Sequence, residues 1–237
     1  DENEIVFLPQ GVYVVSRTLK LRPRTKLIGL HRSFSLLRPV AVEGGDFNDA
    51  ENPQPVIRTA DDADARTVLA SVGLVTTVPG AFLVHWRAGR HSIYRGVNTS
   101  CYFTTKPTPE NPALQHPMVL VSGNGGGRWD NFHSDSSGSV HPDYRHIQVQ
   151  DTRGPLAFYQ CNPEHARSGL EMELRGARNV SIYGLKGERP TPILLVRDCD
   201  HIFVSGYSGV AIPPDRESLI RVERTPNYTI ANLVDRP

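Results

Sequence analysis

The C-terminal third of the chain repeats itself, and that repeat limits the fold more than any other feature. LEMELRGARNVSIYGLKG (170–187) aligns with PILLVRDCDHIFVSGYSG (192–209) at a shift of 22 residues. Met172 then falls on Leu194, Leu174 on Val196, Val180 on Ile202, Ile182 on Val204 and Gly184 on Gly206. A further shift of 26 residues brings in SLIRVERTPNYTIANL (218–233). Ile220 and Val222 follow Leu194 and Val196; Tyr228 and Ile230 follow Ile202 and Val204. Each unit reads as a strand, a polar turn, a second strand and a longer return. A unit this short cannot bury its apolar side alone, so neighbours must stack around a shared core. The spacing predicts a parallel β-helix of roughly 22–26-residue coils. Period-2 alternation turns Met172, Leu174, Leu194, Val196, Ile220 and Val222 inward. The segment LVHWRAGRHSIYRGV (83–97) fits the template loosely, with Val84 and Trp86 inward.

The rest of the chain agrees. Short alternating runs such as IVFL, VYVV, FLVHW and HIQVQ are separated by turn residues, and no window shows helical periodicity. The reading is all-β, with residues 1–237 forming one domain. No stretch approaches 18 apolar residues, so no membrane span is expected. A formal net charge of +1 gives no field that would gather nucleic acid. Arginines outnumber lysines 22 to 4, a skew that suits bidentate recognition of carboxylates but decides nothing alone. Cys101, Cys161 and Cys199 lack metal-ligand spacing and read as small buried residues, with one disulfide plus a free thiol as the alternative.

One stretch breaks the pattern: GNGGGRWDNFHSDSSGSVHPDYRH, 123–146. Its length and glycines predict a long loop extruded from one coil, which contacts ligand, decorates the surface in ordered form, or is disordered. Trp129 and Tyr144 are candidates for sugar contact. Arg128, His133, His146 and Arg145 are candidates for pairing acidic groups or moving protons. Asp130, Asp135 and Asp143 add carboxylates without the D-x-D-x-D-G calcium spacing, so calcium is open chemically but no cofactor is predicted.

The opening EIVFLPQGVYVVSRTLKLRPRTKLIGL (4–30) resembles the first coil of the pectate-lyase-like right-handed β-helix superfamily. Pro9, Gly11, Tyr13, Leu27 and Gly29 carry the likeness. The run from Gly154 to Gly209 resembles uncharacterised bacterial members of that group. The resemblance implies a right-handed single-stranded parallel β-helix and a secreted or cell-surface protein. It also implies activity on a polysaccharide or oligosaccharide, by lyase or glycoside hydrolase chemistry. Members commonly begin with a helix that caps the open end, and none precedes Glu4. The expectation is therefore a fragment of a larger chain, with another domain or chain at the N-terminal end.

Two further groups are candidates for acid–base work. Glu164 and His165 in NPEH sit side by side near a coil edge, one coil after 123–146, so the two segments are expected to converge. Glu171 and Glu173 are read as outward neighbours on one strand, about 6.6 Å apart. That span suits the two carboxylates of glycoside hydrolysis. Arg175, Arg197, Arg221 and Glu223 share that face, and a solvated ladder of paired charges explains them equally. Asp198, Asp200 and His201 read as turn residues. The catalytic set is thus Glu164, His165, Arg145, Glu171 and Glu173. The substrate-binding set is Arg128, Trp129, Asp130, His133, Asp143, Tyr144 and His146. The alternative function is a non-catalytic glycan-binding or structural β-helix domain of a larger surface or tailspike-like protein.

Overall fold

A computed structural model describes residues 4–101, 114–135, 139–188, 192–210 and 218–235. The chain is all-β, a parallel β-solenoid of about 8 turns with coils of about 26 residues. Among the described residues one sheet has 8 strands and the other 13, and the sequence-distant neighbours in each reflect the strands of one coil stacking on those of the next. The predicted register holds in full. Met172 pairs with Leu194 and Leu174 with Val196; Val180 pairs with Ile202 and Ile182 with Val204. Leu194 pairs with Ile220, and Ile202 with Tyr228. Val84 and Trp86 take the inward positions, pairing with Val119 and Val121 of the next coil.

The 13-stranded sheet has an inner logic that strict alternation hides. In early coils it contributes two separate strands, for example Ile93–Arg95 and Asn98–Cys101. From Gly127–Asp135 onward the two fuse into one long strand per coil. Each fused strand bends at a residue in the left-handed region. Ser71, Gly96, Asn131, Gln160, Gly184, Gly206 and Asn232 all have φ between 55 and 80°. The residues just before them pair from coil to coil, so the bends stack in a single column. Glycine and asparagine suit such positions because they tolerate positive φ.

The column corrects the reading of 123–146. Gly127–Asp135 is not loop but a nine-residue strand at the centre of the larger sheet, paired along its length with Leu156–Glu164. Trp129 and Phe132 are both buried, although they stand three apart, because the bend at Asn131 shifts the alternation by one. Trp129 stacks on Tyr94 at 3.9 Å and meets Trp86 edge-on at 5.5 Å, forming the aromatic centre of the core. The glycines before it answer to packing: a Cβ on Gly127 would lie 2.3 Å from the Ser92 carbonyl oxygen. Tyr144 and His146 are buried as well, with the Tyr144 hydroxyl and Ser134 Oγ both at hydrogen-bond distance from His146 Nδ1. Three residues expected to touch sugar, Trp129, Tyr144 and His146, therefore belong to the interior. Cys161 and Cys199 are free and buried, as expected; the Cys101 side chain lies outside the described residues.

On the 8-stranded sheet, Glu223 pairs with Arg197 at 2.9 Å and with Arg221 at 3.3 Å, which is the solvated ladder. Asp198 takes Arg224 through two hydrogen bonds, and Asp200 accepts from Asn227, so the turn residues serve the turns.

Candidate functional site

The long strand Leu156–Glu164 ends at a coil corner, and the chain turns sharply at His165, which has φ 69°. It returns through Ser168–Leu170 to start the strand Met172–Arg175. This detour carries Glu171 back under the turn. Its Oε1 accepts the main-chain N–H of His165 at 3.0 Å. Glu171 is completely buried, not outward as alternation suggested, because it lies in the corner before the strand begins. Its Oε2 accepts no hydrogen bond among the described residues and lies against Gly187, where a Cβ would approach to 2.8 Å.

The next coil supplies the rest. Cys161 pairs with Leu185, so Lys186 and Glu188 stand above Asn162 and the buried Glu164 in the next coil. Lys186 Nζ donates to Glu164 Oε1 at 2.7 Å and to Glu188 Oε1 at 2.6 Å. His165 Nε2 lies 3.3 Å from the other Glu188 oxygen. Ligand-type atoms of Glu164, His165 and Glu188 all fall within 4.8 Å of one another. The Lys186 ammonium lies between the two carboxylates and offsets part of their charge.

Burial and neighbours split the protonation of these carboxyls. Desolvation pushes Glu171 up to about 9; the His165 N–H opposes this and the nearby Glu164 charge reinforces it. The Lys186 hydrogen bond holds Glu188 below the usual carboxylate range, with His165 assisting. For Lys186, burial works against the charge, but hydrogen bonds to Glu164 and Glu188 outweigh it and raise its pKa. At neutral pH the cluster therefore holds a protonated buried carboxyl and an ionised half-buried one.

The other expected residues divide. Arg145 pairs with Glu173 at 3.3 Å, both largely covered, on the 8-stranded sheet and outside this cluster. Burial lowers the Arg145 pKa, and the Glu173 charge opposes that. Arg128 donates to Asp130 at 2.8 Å on the outer face of the larger sheet. His133 pairs in register with Asn162, in the same outward row as Lys186. Asp143 is exposed in the turn before Arg145, its N–H donating to His141. Thus Glu164, His165 and Glu171 converge, while Arg145 and Glu173 stand apart. Lys186 and Glu188 were missed, yet the shift that sets Leu156 beside Val180 also sets Asn162 beside Lys186 and Glu164 beside Glu188.

No family model matches the chain. A probable glucan endo-1,3-beta-glucosidase of Arthroderma benhamiae is 27% identical over 93 residues. The match covers 38% of this chain, and the chain spans only 10% of that relative's length. A solved structure, ORF18 of Geobacillus virus E2, aligns with 97% of this chain and 54% of its own at 12% identity and TM-score 0.27.

Proposed function

We propose that the protein is a carbohydrate-active β-solenoid that hydrolyses a polysaccharide outside the cell, at the cluster of Glu164, His165, Glu171, Lys186 and Glu188. The observation that carries this reading is the split protonation within one cluster, since glycosidic hydrolysis needs one carboxyl to give a proton and another to act as an anion. Glu188, the more exposed carboxylate, is the anion, and Lys186 keeps it ionised. Glu171 holds the proton at neutral pH, because burial pushes its pKa up to about 9. Glu164, less enclosed than Glu171, relays that proton from Glu171 to the leaving oxygen and is left as the carboxylate it was. Glu171, which is enclosed, stores that proton and fixes the His165 turn.

Ligand-type atoms of Glu164 and Glu188 lie within 4.8 Å of each other, far below the spacing of about 6.5–9.5 Å of an inverting mechanism and nearer to the short spacing of a retaining one. The partial likeness to a probable glucan endo-1,3-beta-glucosidase supports a glucan as the first substrate to try. Lyase chemistry would call on an arginine to neutralise a uronate, and Arg145 is engaged with Glu173 elsewhere.

The test is a panel of neutral glucans and uronate polymers, followed by reducing ends and by unsaturated-product absorbance. Reducing ends without unsaturation, lost in Glu188→Gln and Glu164→Gln, support hydrolysis at this site. Unsaturated products would replace it with a lyase. Binding without any cleavage would make the protein a non-catalytic glycan-binding domain.

A further inference from the structure

The stacked bends leave a groove on the outside of the larger sheet. Two cavities of about 390 and 530 Å³ lie along the column and share Gln160 as a lining residue. The first is floored by Ser71, Gly96 and Asn131, the second by Gly184 and Gly206. From Ser71 to Gly206 the column crosses six coils, about 24 Å at a strand spacing of about 4.8 Å. The glycines leave its floor open: a Cβ on Gly96 would meet nothing within 4 Å, and on Gly184 nothing closer than 3.7 Å.

The two walls differ. On one side Asp130, Tyr159 and Tyr183 stand in a single in-register row. Tyr159 and Tyr183 stack on each other at 5.1 Å and 10°, Arg128 covers the far face of Tyr159 at 4.8 Å, and Phe203 leans on Tyr183 at 5.4 Å. Their faces are thus occupied, and what these tyrosines, 39% and 40% exposed, present outward is ring edges and hydroxyls. On the other side run Asn162, Lys186 and Ser208. Every cation along the groove already faces a carboxylate. Arg128 and Arg95 lie 2.8 and 4.0 Å from Asp130, and Lys186 bonds Glu164 and Glu188.

We infer that this groove binds one chain of a neutral polysaccharide lengthwise along the solenoid axis and delivers it to Lys186, which lines both groove and cluster. Hydroxyl, amide and ammonium groups on the walls match sugar hydroxyls. With Arg95, Arg128 and Lys186 set against Asp130, Glu164 and Glu188, the groove has no net positive charge over its length to favour a uronate or sulfated polymer. Length along the axis makes the binding cumulative over several sugar units. The inference rests on the carbohydrate reading above and adds the site, direction and charge class of the substrate.

The experiment measures binding of β-1,3-gluco-oligosaccharides of increasing length to the full chain carrying Glu188→Gln, with oligogalacturonates as the charged comparison. The groove is then filled by Gly184→Asn with Gly206→Asn, residues the same column already accepts at Asn131 and Asn232. Expected are affinity rising roughly tenfold from short to long glucan oligomers, weaker binding of oligogalacturonates, and loss of the length dependence in the filled variant at unchanged melting temperature. A second variant, Tyr159→Phe with Tyr183→Phe, keeps the stacking and removes the hydroxyls, and is expected to weaken binding severalfold. Length-independent binding, preference for the charged oligomers, or wild-type affinity in both variants would overturn the groove. Binding as expected with no cleavage by the wild type would leave the groove standing and remove the hydrolase reading. Cleavage abolished by Glu188→Gln but indifferent to filling would do the reverse.

Discussion

The main-chain N–H of His165 donates to the Glu171 carboxyl across 3.0 Å, closing a seven-residue turn around a group that burial keeps protonated. That contact ties the shape of the corner to the protonation of the cluster, and it sets a sign for the pH dependence of stability. The folded-state pKa of Glu171, about 9, lies above the ordinary 4.5, so the folded protein binds the extra proton. Its contribution to stability is complete below about pH 4.5 and is lost progressively as pH rises towards 9. Glu171→Gln, which keeps the shape and cannot ionise, is expected to flatten that decline in melting temperature between those limits. In the same variant the alkaline limb of the activity profile should move while binding persists.

Lys186→Met removes the cation from two carboxylates. Glu188 is depressed in the folded protein, so the stability it contributes is present above its unfolded pKa and disappears as pH falls through the folded one. The difference in stability between wild type and variant should therefore be largest above about pH 5 and should close in acid. Lys186 is 40% exposed, so the difference is about 1 kcal/mol at most. Turnover should fall far more than that figure suggests, because Glu188 would no longer be held as an anion. Denaturant titrations at two pH values, with parallel rate assays, check both statements.

Gly187 carries the Glu171 carboxyl against its bare α-carbon. A methyl group there would lie 2.8 Å from Glu171 Oε2 and 2.6 Å from Ile193 Cδ1. Gly187→Ala is expected to cost about 1–3 kcal/mol and to lower activity by displacing Glu171. Gly154→Ala, whose new methyl would meet nothing closer than 3.8 Å, serves as the comparison and should be near neutral in both respects.

Trp129 was expected to grip sugar and instead stacks on Tyr94 in the core. Trp129→Ala should cost about 3–5 kcal/mol in unfolding free energy, and Trp129→Phe clearly less. A variant that folds with wild-type stability and loses only glycan affinity would put the side chain back on the surface.

The difference between what was legible and what was not follows one physical line. Pairs such as Met172 with Leu194 and Val180 with Ile202 could be read because each strand alternates cleanly and the coils there are short. The strand Gly127–Asp135 could not, because its left-handed Asn131 resets the phase between Trp129 and Phe132 and strict alternation then reports a break. Its glycines looked like loop chemistry although Gly127 answers to the close approach of Ser92. In the cluster, the neighbours Glu164 and His165 were visible as a motif. Lys186 and Glu188 reach them only through the coil register, and nothing local in the sequence marks them.

The chemistry of the cluster depends on one carboxyl remaining protonated while its neighbour is ionised. Carboxyl carbon shifts of glutamate-labelled protein, followed from acid to alkaline pH and assigned through Glu171→Gln and Glu188→Gln, measure this directly. The expected result is a Glu171 resonance that titrates near 9 and a Glu188 resonance that titrates below 4.5. Two resonances that titrate together in the ordinary carboxylate range would contradict it.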